Sequence, residues 1–165
     1  MSRELPQITL QQRQMMMTVI WLALIMGVVT FGMIVTFIGL KEEPGKGLPV
    51  ITYLGMGLAA LMLVLRMIIP NMIARNQFTQ AMQEAREEGN QDEEQMLGTF
   101  YQIFMVRMII GLALLEGAAM INLVAVMVEN QKLAFIPVAI LLLVMIASMP
   151  TKSKLDGWIR NQMEN

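Results

Sequence analysis

One carboxylate, Glu116, stands near the centre of a long apolar run that extends from Met108 to Val128. A charged group at bilayer depth costs roughly 2.5–3.5 kcal/mol on insertion scales, so such residues are usually paired, neutralised or functional. Two interpretations stay open for Glu116. A protonated side chain would hydrogen-bond across the helices and stabilise the fold, whereas a titrating one would carry a proton or a cation.

Two arginines, Arg66 and Arg107, are the candidate charge partners of Glu116. Arg107 precedes Glu116 by nine residues, which is about 13 Å along a helix and on its opposite face, so the two cannot pair within one helix. Arg66 lies on the preceding apolar stretch. Its long side chain can reach either toward the membrane surface or toward Glu116, so this pair is allowed without being required.

Small residues near Glu116 predict close contacts between helices. Ala113 and Gly117 form one small-xxx-small pair, and Gly55 and Ala59 form another on the preceding stretch. Such pairs let two helix backbones approach closely within a membrane. Asn122, farther along the same run, is expected to hydrogen-bond to another span or to a partner subunit.

Other kinds of chemistry find little support in the sequence. The chain has no Cys and no His, so thiol chemistry, the usual zinc sites and His-ligated haem are excluded, and we predict no metal and no cofactor. The 19 methionines are scattered and are interpreted as flexible apolar filler rather than Cu(I) ligands. Because no nucleophile–base pair, phosphate loop or paired carboxylates occur, we predict that the protein is not an enzyme. A net charge of −1 gives no basic field for nucleic acid.

Four apolar stretches must position these residues. Hydrophobic residues make up 56% of the 165 positions, and each stretch approaches the ~20 residues that cross a ~30 Å hydrocarbon layer. The sequence therefore predicts an all-α, integral membrane four-helix bundle built from two antiparallel transmembrane hairpins. We expect a single membrane domain over 1–165, with spans at about 16–40, 49–70, 103–128 and 133–149.

The polar segment 71–102 is predicted to be an acidic helical hairpin that extends spans two and three, with its turn at Gly89–Asn90. Its acidic side chains would form either a docking surface for a basic partner or a solvated tip, and the second is the more usual case. Nine Lys and Arg residues belong to the termini and this middle segment when Arg66 and Arg107, just inside the flanking spans, are counted, against three in the other two loops. This asymmetry predicts a multi-pass protein of the bacterial inner (cytoplasmic) membrane with cytoplasmic N- and C-termini.

The run Gly-Leu-Ala-Leu-Leu-Glu that ends at Glu116 locally resembles the carboxylate-bearing helix of the proteolipid ring subunits of rotary ATPases. In that family the equivalent glutamate binds the transported proton or sodium ion, and the resemblance implies the same role for Glu116. The chain as a whole resembles small four-span bacterial membrane proteins with an LLEGA third span. That resemblance implies no activity.

Two hypotheses of function follow. The leading one is a non-enzymatic accessory or scaffold subunit that acts by helix association, with membrane lipids and either further copies of the chain or a membrane complex as partners. The alternative is a protein that translocates or senses protons or cations through Glu116.

Overall fold

The computed structural model describes residues 10–39, 48–87, 93–151, 153–154 and 157. The predicted turn at Gly89–Asn90, the loop at 41–47 and most of both tails lie outside the described residues. So do most of the acidic side chains of the predicted hairpin.

Four helices make up the described chain. They are α1 (Leu10–Ile34), which continues as a π-helical turn at Val35–Gly39, then α2 (Val50–Glu87), α3 (Glu93–Glu129) and α4 (Phe135–Ala147), with a 3₁₀ turn at Lys132–Ala134 before α4. The prediction of an all-α protein is confirmed for this part of the chain.

Three of these helices are long and apolar enough to cross a membrane. Their apolar portions are Gln14–Ile38, Val50–Gln80 and Gly98–Glu129. The fourth apolar helical stretch, Lys132–Ala147, is shorter. At 1.5 Å per residue it covers about 24 Å, less than a ~30 Å hydrocarbon core and less than the predicted span at 133–149.

α3 is the central helix and packs against each of the other three, most extensively against α2. The prediction that the first two spans form a tight hairpin is wrong. Within the described residues the backbones of α1 and α2 do not approach each other, because each packs on α3 instead. Half of the most apolar window of α3 is buried, against 17% for the windows of α1 and α2, so α3 forms the core of the fold.

The α2 and α3 helices also pack together where their apolar portions approach Gln80 and Gly98. Phe78 of α2 stacks on Phe100 of α3, with ring centroids 4.8 Å apart and an interplanar angle of 25°. Such offset ring pairs contribute about 0.5–1.5 kcal/mol beyond the area they bury. Around this stack lies a second hydrophobic cluster formed by Met17, Ala74, Phe100, Tyr101, Ile103 and Phe104. The cluster joins α1, α2 and α3 at this end of their apolar portions.

Candidate functional site

The contacts of α3 divide its circumference into sides. At 100° per residue, the side chains that meet α2 and those that meet α1 lie more than 90° apart around the helix. Asn122 is on the α2 side, and Glu116 and Leu123 are on the α1 side. A stripe remains exposed between these sides; it consists of Ala113, Gly117, Ile121, Val124 and Val128. We call it the open face of α3.

Glu116 lies in the contact between α1 and α3, at the border of the open face. Its Oε1 atom is 3.2 Å from the position that a Cβ on Gly27 would occupy, and the terminal methyl of Met120 is 3.9 Å from the same point. The glycine thus provides the room that the carboxyl occupies. Glu116 is only half-buried, and no described residue gives it a hydrogen bond or an ion pair.

The structure does not bring Arg66 to Glu116. The Arg66 Nη2 atom donates a hydrogen bond to Ser148 Oγ just after α4, and Ser148 Oγ donates to the Val144 carbonyl. The stem of Arg66 lies beside Gly111, at 3.6–3.7 Å from the position of a Cβ there. Gly111 precedes Glu116 by about 7.5 Å along α3.

Arg66 and Arg107 instead line one cavity of about 500 Å³ between the middle of α2, the middle of α3 and the C-terminal end of α4. Lys154 contributes a third cation, and its Nζ atom donates to the carbonyls of Ala147 at 2.8 Å and Met149 at 3.2 Å. A lysine at this position satisfies carbonyls that the end of α4 would otherwise leave unpaired. From the sequence, each of the two arginines was predicted to be a candidate partner of Glu116, and no signal indicated that both line one cavity.

The two predicted small-residue pairs lie in different surroundings. Gly55 and Ala59 are buried, and Gly55 lies directly against Asn122 of α3. Ala113 and Gly117 are on the open face, and nothing lies within 4 Å of a Cβ placed on Gly117. Within one chain, therefore, only the α2 pair serves a helix contact.

The expectation that Asn122 bonds to another span is confirmed. Asn122 is fully buried, and its Nδ2 atom donates to the Gly55 carbonyl of α2 at 2.9 Å and to the Ala118 carbonyl at 2.8 Å. Hydrogen bonds of this kind between membrane helices contribute about 0.6 kcal/mol on average.

Glu129 has a role that the sequence analysis did not assign. Its two carboxylate oxygens accept hydrogen bonds from the backbone N–H groups of Ile51 at 2.6 Å and Thr52 at 2.8 Å. These belong to the first turn of α2, where unpaired N–H groups and the helix dipole favour an anion. Two features of the sequence could have indicated this cap. An acidic residue ends the third apolar stretch, and no residue with a capping side chain directly precedes the second.

The chemistry available at Glu116 is that of a single carboxyl group. Where the structure describes the chain, no three His, Cys, Asp or Glu side chains come together as metal ligands. A lone carboxyl can accept or release a proton, or donate a hydrogen bond when neutral. No protein family, no curated protein and no solved structure matches this chain.

Proposed function

We propose that this chain is a multi-pass protein of the bacterial cytoplasmic membrane that acts, without catalysis, by associating with another membrane helix. The observation that carries the proposal is the open face of α3. The helix that forms the core of the fold leaves one stripe uncovered, and Ala113 and Gly117 lie on that stripe. Small residues on a membrane helix permit close approach of a second helix, which gains van der Waals contacts along the backbone.

The path of α4 supports a fourth crossing despite its length. Ser148, just after α4, meets Arg66, which in turn lies beside Gly111 of α3. From Glu129 back to Gly111 is about 27 Å along α3, close to the ~30 Å hydrocarbon thickness. α4 therefore returns through most of the depth that α3 traverses. An even number of crossings agrees with the excess of Lys and Arg in both termini and the middle segment.

The test of association is the mass of the protein in its native assembly, extracted in a mild detergent. Gly117→Leu places a large side chain on the open face, where it would separate two closely packed helices. Gly57→Leu is the matched control, because Gly57 is an exposed glycine of α2 with nothing within 4 Å of an added Cβ. We expect an assembly larger than one chain that Gly117→Leu reduces in size and Gly57→Leu preserves. A wild-type protein with the mass of a single chain would refute the proposal.

A second function, proton or cation translocation or sensing through Glu116, is favoured by a different observation. The carboxyl group lies at the edge of the α1–α3 contact, half-exposed and without a partner in the described chain. Carboxyl groups within membrane-spanning segments are known to mark ion pathways and proton relays.

Carbodiimide labelling in native membranes distinguishes the two functions, because carbodiimides modify protonated carboxyls in apolar surroundings. Labelling of Glu116 that varies with pH, or that sodium prevents, would favour the ion-carrying function. Absence of labelling at Glu116 would leave the association function as the better account.

A further inference from the structure

We infer that the cavity between the middle of α2, the middle of α3 and the C-terminal end of α4 binds the phosphate group of an anionic phospholipid headgroup. The site is formed by Arg66, Arg107 and Lys154 and is separate from both the open face of α3 and Glu116. The inference rests on the membrane insertion that we propose above, but not on the association of helices.

The charge of the cavity is the first argument. Among the described residues its lining contains three cationic side chains and no carboxylate; the other described residues are Pro70, Phe104, Met108, Gly111, Leu112, Ala147, Ser148 and Gly157. Cationic side chains around one space favour an anion there. Its volume of about 500 Å³ is within the roughly 300–1,000 Å³ range of ligand sites, so the space can hold a headgroup.

The hydrogen bonding of Arg66 is the second argument. Its Nη2 atom is held by Ser148, which fixes the orientation of the guanidinium plane. Its Nη1 atom is buried, and no described group accepts a hydrogen bond from it. A buried charged donor without an acceptor is costly, and a phosphate oxygen is an acceptor that an arginine fork fits well.

The depth of the site is the third argument. Arg66 lies about 24 Å along α2 from Val50, and Arg107 lies about 33 Å along α3 from Glu129. These separations bracket the ~30 Å thickness of the hydrocarbon layer, so the two arginines lie near one membrane surface when Glu129 lies near the other. Lipid phosphates occupy this level, and basic pockets between helices are known to bind phosphorylated headgroups there.

The experiment measures lipid retained by the full chain. The protein is reconstituted in phosphatidylcholine alone or in a mixture with phosphatidylglycerol, extracted in mild detergent, and weighed by native mass spectrometry. We expect retained phosphatidylglycerol in preference to phosphatidylcholine. Arg66→Gln should lower this retention about tenfold, which corresponds to the loss of one charge-assisted hydrogen bond.

The matched control is Arg75→Gln, which removes an exposed arginine of the same helix that does not line the cavity. It should retain the lipid as wild type does. Arg66→Lys keeps the charge but not the fork geometry, and an intermediate retention is expected. This variant also guards against a folding failure of Arg66→Gln, since it leaves a cation in the site.

Inorganic phosphate, added in increasing amounts to the lipid-loaded protein, separates the two sources of the phosphate group. If it leaves the bound lipid in place, the ligand is a headgroup. If it displaces the lipid at low concentration, a soluble anion is the ligand and the lipid inference is overturned. Equal retention of both lipids, or equal losses in Arg66→Gln and Arg75→Gln, would also overturn it. None of these outcomes depends on the size of the native assembly, so this inference and the association proposal can fail separately.

Discussion

The contact of α3 with α2 and its contact with α1 are stabilised in different ways. Polar groups tie α2 to α3 at two levels, through Glu129 at one end and Asn122 farther in, and Gly55 allows the helices to approach closely. In the α1 contact, the polar group that faces α1 is Glu116, and it has no partner among the described residues. In the proposed membrane, lipid is as apolar as a helix surface, so apolar contacts alone distinguish poorly between a neighbouring helix and lipid. The comparison indicates that polar contacts fix the α2–α3 pair, whereas Glu116 adds none to the α1–α3 contact among the described residues. A polar contact ties α1 to α4 instead, where the Trp21 indole donates a hydrogen bond to the Met145 carbonyl at 2.8 Å.

The largest effect is expected from Gly55→Val, which tests the close α2–α3 approach. A Cβ at this position would be 2.9 Å from Asn122 Oδ1, so either the buried Asn122 side chain or the helices must shift. We expect a loss of about 3 kcal/mol in the free energy of unfolding, at the upper end for overpacking. Unfolding in mixed micelles, followed by tryptophan fluorescence, measures this loss. Gly57→Val, on an exposed position, should change it by less than about 0.5 kcal/mol. Similar losses in the two variants would show that the α2–α3 contact is not as described.

A smaller loss is expected from Glu129→Ala, which removes the carboxylate that caps α2. Two N–H groups of the first turn would lose their acceptor, and we expect about 2 kcal/mol from the same unfolding measurement. Glu129→Gln retains one acceptor oxygen and should lose about half as much. Lys132→Ala removes an exposed charge nearby and serves as the control. An equal effect of Lys132→Ala would mean that local charge, rather than the cap, stabilises this end.

Asn122→Ala should cost about 1 kcal/mol, within the range measured for hydrogen bonds between membrane helices. The substitution removes the bond to the Gly55 carbonyl but leaves the backbone contact. Ile121→Ala, on the open face, is the control and should leave the unfolding free energy of a single chain nearly unchanged. If Ile121→Ala lowers the free energy of unfolding more than Asn122→Ala does, the open face is covered in the protein.

The smallest effect on stability is expected from Glu116→Gln, less than about 0.5 kcal/mol, because the carboxyl has no partner to lose in the described chain. The same variant also distinguishes the association function from the ion-carrying function. If association is the function, the native assembly should survive the change to Gln. If Glu116 carries an ion, Gln should abolish proton or sodium flux in proteoliposomes while Asp retains part of it, because only a titratable group can load and release a proton.

The sequence was sufficient to predict the helices but not to predict how they pack against one another. Long stretches without charge predict apolar helices because a charge in hydrocarbon is expensive. Those helices are apolar on all sides, so no stripe on α3 marks which face meets α1, α2 or lipid. The open face with Ala113 and Gly117 was therefore not predictable. That Arg66 and Arg107 line one cavity was not predictable either, because it depends on how α2 and α4 pack on α3.

Individual polar residues were more informative than the apolar pattern. Asn122 was assigned to a contact between spans because a buried amide needs an acceptor, and it has one. Glu116 was recognised as exceptional by its depth, but its position against Gly27 depends on the packing of α1. Glu129 was not assigned because the group it caps lies 78 positions away along the chain.

The Glu129 cap also bears on the order in which the protein is made. Synthesis proceeds from the N-terminus, so α2 exists before the residue that caps its first turn has been translated. In the proposed topology, the two N–H groups of Ile51 and Thr52 are paired with water until α3 has crossed and delivered its carboxylate to that surface. Capping of α2 thus depends on the insertion of α3. A chain arrested before Glu129 would expose the uncapped N-terminal end of α2 on the far side of the membrane.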